Sequence, residues 1–346
     1  MKNIKIKCLL SFFSMALLVL GVFTSCEDDS AGSSSGILAI TSVAKSVEGD
    51  LTPVTQGDPK NYYIIRGSGF LSTQKIYFND FDTYFNPTLV TDTEIFVLID
   101  EKTPYANASN ELKIVTKNGT VTYPFVVSPP SPNFGSFNLV NTADGDVITI
   151  YGNYFLNPIV KIGTVTVPVI SSTLTEVKVK LPVGSNKKYV SVTTISGTAT
   201  SSYAIGTAIF DDIEYYGFDF PSWNNHTYES DGKAEQGLIH IKKKMAAWDN
   251  LQGNWSWYDQ IADYSGIRLS VKADTPGTLK LCFNGDWSER NLLTVGTGWT
   301  TFVIPWSQLG NADHVQNITF QNMSKNAAGD GIENTFYIDN IGFVLK

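Results

Sequence analysis

A chain of 346 residues has room for about two or three domains, each large enough to bury its own hydrophobic core. Its net charge of −8 argues against a nucleic-acid partner, because binding to a phosphate backbone depends on clustered Lys and Arg. The basic cluster at residues 242–244 is short, and the solvated end of a strand explains it better than a binding site does.

The first 25 residues have the pattern of a secretory signal peptide. Basic residues at positions 2, 5 and 7 precede an apolar run from Cys8 to Phe23, and Cys26 follows shortly after. A cysteine in this place resembles the processing site of bacterial lipoproteins, which implies that Cys26 becomes the acylated first residue of the mature chain. The acids at residues 27–29 resemble the signal by which Bacteroidetes lipoproteins reach the outer face of the outer membrane. We therefore expect a lipid-anchored protein on the cell surface.

Residues 26–36 are rich in Ser, Gly and acids, and we expect a flexible tether that lifts the folded part off the membrane. Removal of Cys8 with the signal and acylation of Cys26 leave Cys282 alone, so neither a disulfide nor a cysteine zinc site is expected. Cys282 lies between two apolar residues, and this context predicts a buried strand position.

From residue 37 onward, short β-branched and aromatic runs separated by Gly, Asn, Asp and Pro predict an all-β protein. A pattern recurs before residue 209 at a spacing of about 80 residues, with Gly67 aligned on Gly152. The order of a strand, a glycine turn, a second strand and a Gly-tipped hairpin is typical of a small immunoglobulin-like sandwich. The corresponding segments are residues 63–70 and 148–155, 92–97 and 174–179, and 116–119 and 194–197.

These segments resemble the IPT/TIG family of immunoglobulin-like domains. The resemblance implies two tandem sandwiches, at residues 37–128 and 133–208, which in extracellular bacterial proteins usually act as spacers. Pro129, Pro130 and Pro132 lie between the copies. Because proline fixes φ and lacks a backbone donor, this segment predicts a stiff hinge.

Residues 209–346 differ in composition from the rest of the chain, because all seven tryptophans lie between Trp223 and Trp306. This region also contains several strand-like runs, which predict a single C-terminal β-sandwich of jelly-roll type. The runs are at residues 238–241, 267–271, 278–283, 300–304, 317–320 and 335–344.

Alternation along strands separates core tryptophans from surface tryptophans, because successive side chains of a strand point to opposite faces. Phe302, Ile304 and Trp306 share one face of a strand, which predicts that Trp306 lies in the core. We also predict structural roles for Trp299 and for Trp248, which follows an apolar Met-Ala-Ala segment.

The other tryptophans lie among Asn, Asp, Gln and Gly, so their exposure is predicted. Trp255 and Trp257 point the same way from an extended segment, whereas Trp223 and Trp287 lie in polar loops. An exposed indole can stack on the C–H face of a pyranose while polar side chains meet the hydroxyls. The candidate carbohydrate-binding residues are Trp223, Trp255, Trp257, Tyr258, Trp287, Asn254, Asp286 and Arg290.

This region resembles the glycan-binding domain of Bacteroidetes surface glycan-binding proteins, particularly those that recognise xyloglucan and other β-glucans. The likeness extends to the mature architecture of lipid anchor, immunoglobulin-like spacers and Trp-rich sandwich. It implies a non-catalytic protein that captures a β-glucan, such as xyloglucan or mixed-linkage glucan, beside an outer-membrane transporter of the starch-utilisation type. The two-tryptophan platform of the family matches Trp223 and Trp257. In the family pattern a further aromatic residue immediately precedes the second tryptophan. This chain has Ser256 at that position, and Trp255 lies one position earlier.

The histidines and acids show no catalytic or metal-binding motif. His226, His240 and His314 are far apart and lack metal-ligand spacing. A glycoside hydrolase needs two carboxylates that flank the scissile bond, and no motif selects such a pair from the 33 acids. The second functional hypothesis is therefore an adhesin or assembly protein whose tryptophan patch contacts a protein, and hydrolase activity ranks third.

No cofactor is expected. Asp211 or Asp212, together with Asp339, resemble the structural calcium ligands of some sugar-binding jelly rolls. Solvation of the strand ends is the alternative explanation for these acids.

Overall fold

The computed structural model describes residues 36–346, and almost all of its regular structure is β-strand. The predicted signal peptide, Cys26 and the predicted tether up to residue 35 lie outside the described residues. Across residues 36–346 there is no helix with the length and hydrophobicity needed to span a bilayer. The chain divides into two compact units, one up to Pro129 and one from Pro130 onward. The predicted all-β fold class is confirmed.

The first unit is a small β-sandwich. Its strands are β1 (Ala39–Lys45), β2 (Gln56–Gly57), β3 (Tyr62–Ser68), β4 (Thr73–Phe78), β5 (Phe81–Thr83), β6 (Glu94–Leu98), β7 (Glu111–Thr116), β8 (Gly119–Pro124) and β9 (Val126–Val127), with a short 3-10 helix at Pro87–Leu89. One sheet has the order β1-β3-β6, another has the order β5-β4-β7-β8, and β2 pairs with β9 in parallel. Alternate side chains of both main sheets, such as Ile65 and Ile114, meet in one core.

The second unit begins with a sandwich of the same kind. Its strands are β10 (Asn133–Phe137), β11 (Val147–Asn153), β12 (Ile159–Ile162), β13 (Val165–Val167), β14 (Val169–Ser172), β15 (Glu176–Lys180), β16 (Tyr189–Thr194) and β17 (Gly197–Ala204). The two sheets have the orders β10-β11-β15-β14 and β13-β12-β16-β17. They share a core that includes Ile150 and Val192.

The repeat predicted from the sequence occupies equivalent places in these two sandwiches. A Cβ atom on Gly67 would overlap the carbonyl oxygen of Ala39 on the neighbouring strand, and it would also meet the ring of Phe70. A Cβ atom on Gly152 would overlap the carbonyl oxygen of Asn133 in the same way. The strand opposite each glycine carries a bulge. Glycine is therefore required at both positions because the strands and the packed ring approach too closely for a side chain.

The rest of the second unit is a larger sandwich. Its strands are β18 (Ala208–Asp211), β19 (Ile213–Glu214), β20 (Thr227–Glu229), β21 (His240–Met245), β22 (Asn250–Gln252), β23 (Tyr264–Ala273), β24 (Gly277–Phe283), β25 (Leu292–Val295), β26 (Thr300–Pro305), β27 (Ile318–Asn322) and β28 (Asn334–Leu345), and a 3-10 helix lies at Ser222–Asn224. A seven-stranded sheet has the path β19-β18-β28-β21-β20, and β23 pairs with β28 and β26. It encloses one core with the four-stranded sheet β22-β27-β24-β25. Every strand-like run predicted in this region overlaps a strand, and Cys282 is buried in β24.

Polar contacts join the first sandwich of the second unit to the larger one. The side chain of Asn141 exchanges hydrogen bonds of 2.9 Å with both the N–H and the carbonyl of Ala208. The buried Asp211 accepts a hydrogen bond from the backbone N–H of Val140. Ala208 packs in the core of the β10–β17 sandwich. The strand that begins at Ala208, β18, pairs with β28 of the larger sandwich. The second immunoglobulin-like domain and the C-terminal sandwich thus belong to one compact unit. The domain boundary that the sequence predicts after residue 208 therefore stays a prediction.

Candidate functional site

Several loops meet at one end of the four-stranded sheet. Strands β22 and β24 end there, at Gln252 and Phe283, and β25 and β27 begin there, at Leu292 and Ile318. Because neighbouring strands of this sheet are antiparallel, loops that are distant in sequence come side by side. We call this region the tryptophan end, and it comprises residues 219–226, 253–258, 284–291 and 313–317.

The loop that carries Trp223 is fixed by a buried amide. The Asn224 side chain donates to the carbonyls of Pro221 and Gln252 at 2.9 and 3.0 Å, and it accepts from the N–H of Gln252 at 2.9 Å. These bonds hold the short 3-10 helix against β22. Trp223, the residue before Asn224, is 61% exposed.

Residues 253–258 run as an extended segment along the adjoining loops. The backbone N–H of Asn254 donates to Asp219 at 2.8 Å, and that of Ser256 donates to Gln316 at 3.0 Å. The Ser256 hydroxyl points inward to the carbonyl of Tyr216. Because side chains alternate along an extended chain, Trp255 and Trp257 point outward and are 61% and 60% exposed.

Trp257 has an aromatic support. Its ring stacks on the imidazole of His314, with centroids 3.7 Å apart and planes 16° from parallel. His314 in turn shares a 2.6 Å hydrogen bond with Asp313, and this bond lowers the pKa of the Asp313 carboxyl. One face of the indole is therefore covered and held in place, while the opposite face is left toward solvent.

The loop that carries Trp287 lies beside Trp255. A Cβ atom on Gly285 would lie 3.8 Å from the outer edge of the Trp255 ring. The Asn284 side chain donates to the carbonyl of His314 at 3.0 Å and accepts from the N–H of Gln316 at 2.7 Å. This side chain therefore ties the Trp287 loop to the loop that supports Trp257.

Charged groups surround Trp287, which is 44% exposed. The Lys280 ammonium lies 5.7 Å from its ring centroid and donates to its backbone carbonyl at 3.0 Å. Asp286 lies 3.8 Å from Arg290, and hydrogen bonds from Ser288 hold the pKa of its carboxyl below the usual range. The loop thus presents an ionised carboxylate and a guanidinium, which are a hydrogen-bond acceptor and a donor.

Of the predicted carbohydrate-binding residues, all but Tyr258 are surface side chains of the tryptophan end. Tyr258 packs on the core instead, with its ring 4.5 Å from that of Tyr216 and stacked on Phe343 at 5.5 Å. It follows Trp257 in an extended segment, so it faces the opposite way. Tyr258 therefore supports the loop from below. The sequence analysis missed the contacts of His314 and Lys280. His314 comes from a loop distant in sequence, and for Lys280 the strand pattern does not show that the following loop folds back over its ammonium group.

The prediction for Trp248 is wrong, whereas Trp306 is placed as predicted. Trp248 is 46% exposed because its backbone adopts a left-handed turn (φ 68°) that turns the ring away from the core. Trp306 packs on the core, and its indole N–H donates to the Tyr264 carbonyl at 2.7 Å. Trp299 is half-buried, and its N–H donates to the carbonyl of Lys233 at 2.9 Å.

Two of the acids predicted as possible calcium ligands accept hydrogen bonds from backbone N–H groups. Asp212 accepts from the N–H groups of Leu238 and Ile239 at 2.7 and 2.6 Å. Asp339 accepts from those of Glu235 and Gln236 at 2.8 and 2.9 Å. These two carboxylates therefore shape the loop between β20 and β21.

Comparison with known proteins identifies part of the chain. Residues 132–207 match the IPT/TIG domain family, which confirms the predicted identity of the second immunoglobulin-like domain. An IPT/TIG domain-containing protein of Bacteroides ovatus is 30% identical over 152 residues, which cover 41% of this chain and 30% of the relative. The chain thus spans under a third of that relative's length.

Two solved structures align with nearly the whole described chain. A surface glycan-binding protein from Prevotella bryantii gives a TM-score of 0.52 at 17% identity, covering 90% of this chain and 99% of that one. A protein from a complex xyloglucan utilization locus in Bacteroides uniformis gives a TM-score of 0.37 at 16% identity, covering 89% and 99%. The first likeness shows a shared fold.

Proposed function

We propose that the protein is a non-catalytic, cell-surface lipoprotein that captures a polysaccharide at the tryptophan end. The observation that carries the proposal is the exposure of Trp223, Trp255 and Trp257, each about 60%, on loops that hydrogen bonds hold together. Exposed indoles cost free energy in water unless a partner covers them. The P. bryantii protein of the same fold is named a surface glycan-binding protein, which supports this proposal.

The chemistry of the tryptophan end suits a sugar polymer. An indole offers a flat apolar face with low conformational entropy, and stacking on a sugar ring contributes on the order of 1 kcal/mol beyond area burial. Asn254, Asp286 and Arg290 lie on the same loops and can exchange hydrogen bonds with hydroxyls. Two or three stacks with a few such bonds correspond to roughly −4 to −8 kcal/mol, which is millimolar to micromolar affinity.

The substrate class that we propose is a β-glucan such as xyloglucan or mixed-linkage glucan, held for uptake by an outer-membrane transporter of the starch-utilisation type. The indoles lie on open loops and not inside an enclosed pocket. An open surface can bind an internal stretch of a long polysaccharide and does not need a free chain end. The two immunoglobulin-like domains act as spacers. Acylation of Cys26 anchors the chain, and incorporation of labelled palmitate that a Cys26→Ala variant abolishes would test this step.

The test of the proposed function is a panel of soluble polysaccharides. The purified protein is run in native gels that contain each glycan, and the positive glycans are titrated by calorimetry. We expect retardation by at least one β-glucan and no release of reducing ends after long incubation. Absence of retardation by every β-glucan would reject the substrate class, and an increase in reducing ends would show a hydrolase. Retention on a protein partner without glycan binding would favour the adhesin hypothesis.

A further inference from the structure

A second cluster of polar side chains lies away from the tryptophan end, on the hairpin formed by β20 and β21. Glu229 and His240 are direct cross-strand partners, so their side chains share one face of the hairpin. Asp231 follows two residues after Glu229, and the Nδ1 atom of His240 lies 3.8 Å from its Oδ1 atom. One ligand atom from each of the three residues lies within 4.8 Å of the other two.

His240 is the unusual member of this cluster. Its side chain is fully buried, and neither ring nitrogen has a hydrogen-bond partner. The rings of Trp299 and Tyr337 pack on it at centroid distances of 5.9 and 5.6 Å. A buried nitrogen without a partner is costly, and most buried polar groups of native proteins have one.

From this geometry we propose that Glu229, Asp231 and His240 form a binding site for a first-row divalent metal ion. Zn²⁺ is the ion of this group whose preferred ligands these three side chains match. Zinc is held by imidazole nitrogen and carboxylate oxygen, and sites with three protein ligands complete the coordination with water. An imidazole ligand favours such an ion over Ca²⁺ or Mg²⁺, which prefer oxygen ligands.

The turn that carries Asp231 is shaped before any ion binds. The backbone N–H of Lys233 donates to Asp231 Oδ1 at 3.0 Å, and the indole N–H of Trp299 donates to the Lys233 carbonyl at 2.9 Å. Two zinc bonds of about 2.1 Å at a tetrahedral angle place their ligand atoms about 3.4 Å apart. The acids therefore need only a small inward rotation, and their partly exposed side chains have room for it.

Two lysines neighbour the cluster and compete with a metal ion. Lys233 Nζ lies 2.8 Å from Asp231 and Lys242 Nζ lies 3.1 Å from Glu229. Surface ion pairs of this kind contribute little, and both ammonium groups have access to solvent. A bound ion would therefore release the lysines into water. His240 has no such alternative, because its ring is enclosed.

The test uses the tag-free full chain, stripped with EDTA and dialysed into metal-free buffer at pH 7.5. Calorimetric titration with ZnCl₂ should show saturable binding of one ion per chain, and the melting temperature should rise with ZnCl₂ concentration. CaCl₂ and MgCl₂ should give no comparable binding. Glu229→Gln and Asp231→Asn should each weaken zinc binding at least tenfold, as loss of a direct ligand does.

Glu333→Gln is the matched control, because Glu333 pairs with Lys244 of β21 at 2.8 Å much as Glu229 pairs with Lys242. It should bind zinc like the wild type. A substitution of the buried His240 would disturb folding, so the coordination geometry is tested on the wild type by visible absorption after titration with CoCl₂. A tetrahedral Co²⁺ band that Asp231→Asn abolishes supports the site. The proposal is overturned if the wild type binds no zinc, if both acid variants retain full affinity, or if Glu333→Gln weakens binding equally.

Discussion

Replacing Arg268 with Met tests how the second immunoglobulin-like domain is joined to the C-terminal sandwich. The buried guanidinium donates from Nε to Asn340 Oδ1 at 3.0 Å and from Nη1 to Thr207 Oγ1 at 3.1 Å, and it also donates to the carbonyl of Phe343. It lies over the ring of Tyr203 at 4.8 Å. Burial lowers its pKa to about 10, so it remains protonated at neutral pH.

The size of the effect follows from these contacts. Met fills much of the space but donates no hydrogen bond, so the acceptors on Thr207, Asn340 and Phe343 lose their donor. Each buried acceptor left unpaired costs roughly 1–3 kcal/mol. Since burying the guanidinium itself is costly, part of this loss is recovered when it is removed. We expect a net destabilisation of about 3–5 kcal/mol, the usual cost of removing one member of a buried charged network.

The assay is equilibrium unfolding in urea, followed by tryptophan fluorescence, which reports on the C-terminal sandwich because every tryptophan lies there. Lys187→Met is the matched control, because Lys187 also links the two halves of this unit through a 2.6 Å ion pair to Asp263, but at the surface. It should leave the free energy of unfolding within error of the wild type. Equal losses in the two variants would refute the reasoning about the buried guanidinium.

Three further predictions concern the stability of single sites. Trp306→Ala should lower the free energy of unfolding by about 3–5 kcal/mol, because its ring packs on the core, whereas the exposed Trp248 should tolerate alanine in the same urea assay. Burial raises the pKa of Asp211 to about 6, above its value in the unfolded chain. The folded protein therefore binds this proton more tightly than the unfolded chain does, and the resulting stabilisation is lost as pH rises from about 4 to 6. The wild type should therefore lose about 2 kcal/mol of unfolding free energy through this group between pH 4 and pH 7, and Asp211→Asn should not show that loss. An unchanged pH profile in Asp211→Asn would contradict this. Gly152→Ala should lower the melting temperature, because the added Cβ overlaps the Asn133 carbonyl, and a wild-type melting temperature would show that the strands can separate without cost.

Strand periodicity predicted side-chain direction wherever the segment is extended. It placed Trp306 on the core and pointed Trp255 and Trp257 the same way, since alternation needs only the local chain. Their polar neighbours in the sequence then predicted their exposure. Alternation does not apply to Trp248, because a residue in a left-handed turn does not alternate with its neighbours. The internal repeat placed Gly67 and Gly152 at equivalent positions, and the close approach of a neighbouring strand explains both glycines.

Contacts between distant loops were beyond the sequence analysis. The stack of His314 on Trp257 arises from the antiparallel order of β22, β27, β24 and β25. That order cannot be read from strand patterns alone, because each strand has several partners of equal local propensity. The pairing of Glu229 with His240 was hidden for the same reason, since the sequence shows only three histidines far apart.

The most direct test of the proposed glycan capture compares wild type, Trp257→Ala and Trp248→Ala by calorimetric titration with the β-glucan that retards the wild type most. Trp257 stacks on His314 at the tryptophan end, whereas Trp248 precedes β22 at the opposite end of the sheet. Trp257→Ala should lose measurable binding while its urea unfolding stays close to that of the wild type, and Trp248→Ala should bind as the wild type does. Wild-type affinity in Trp257→Ala, or equal loss in both variants, would contradict the account.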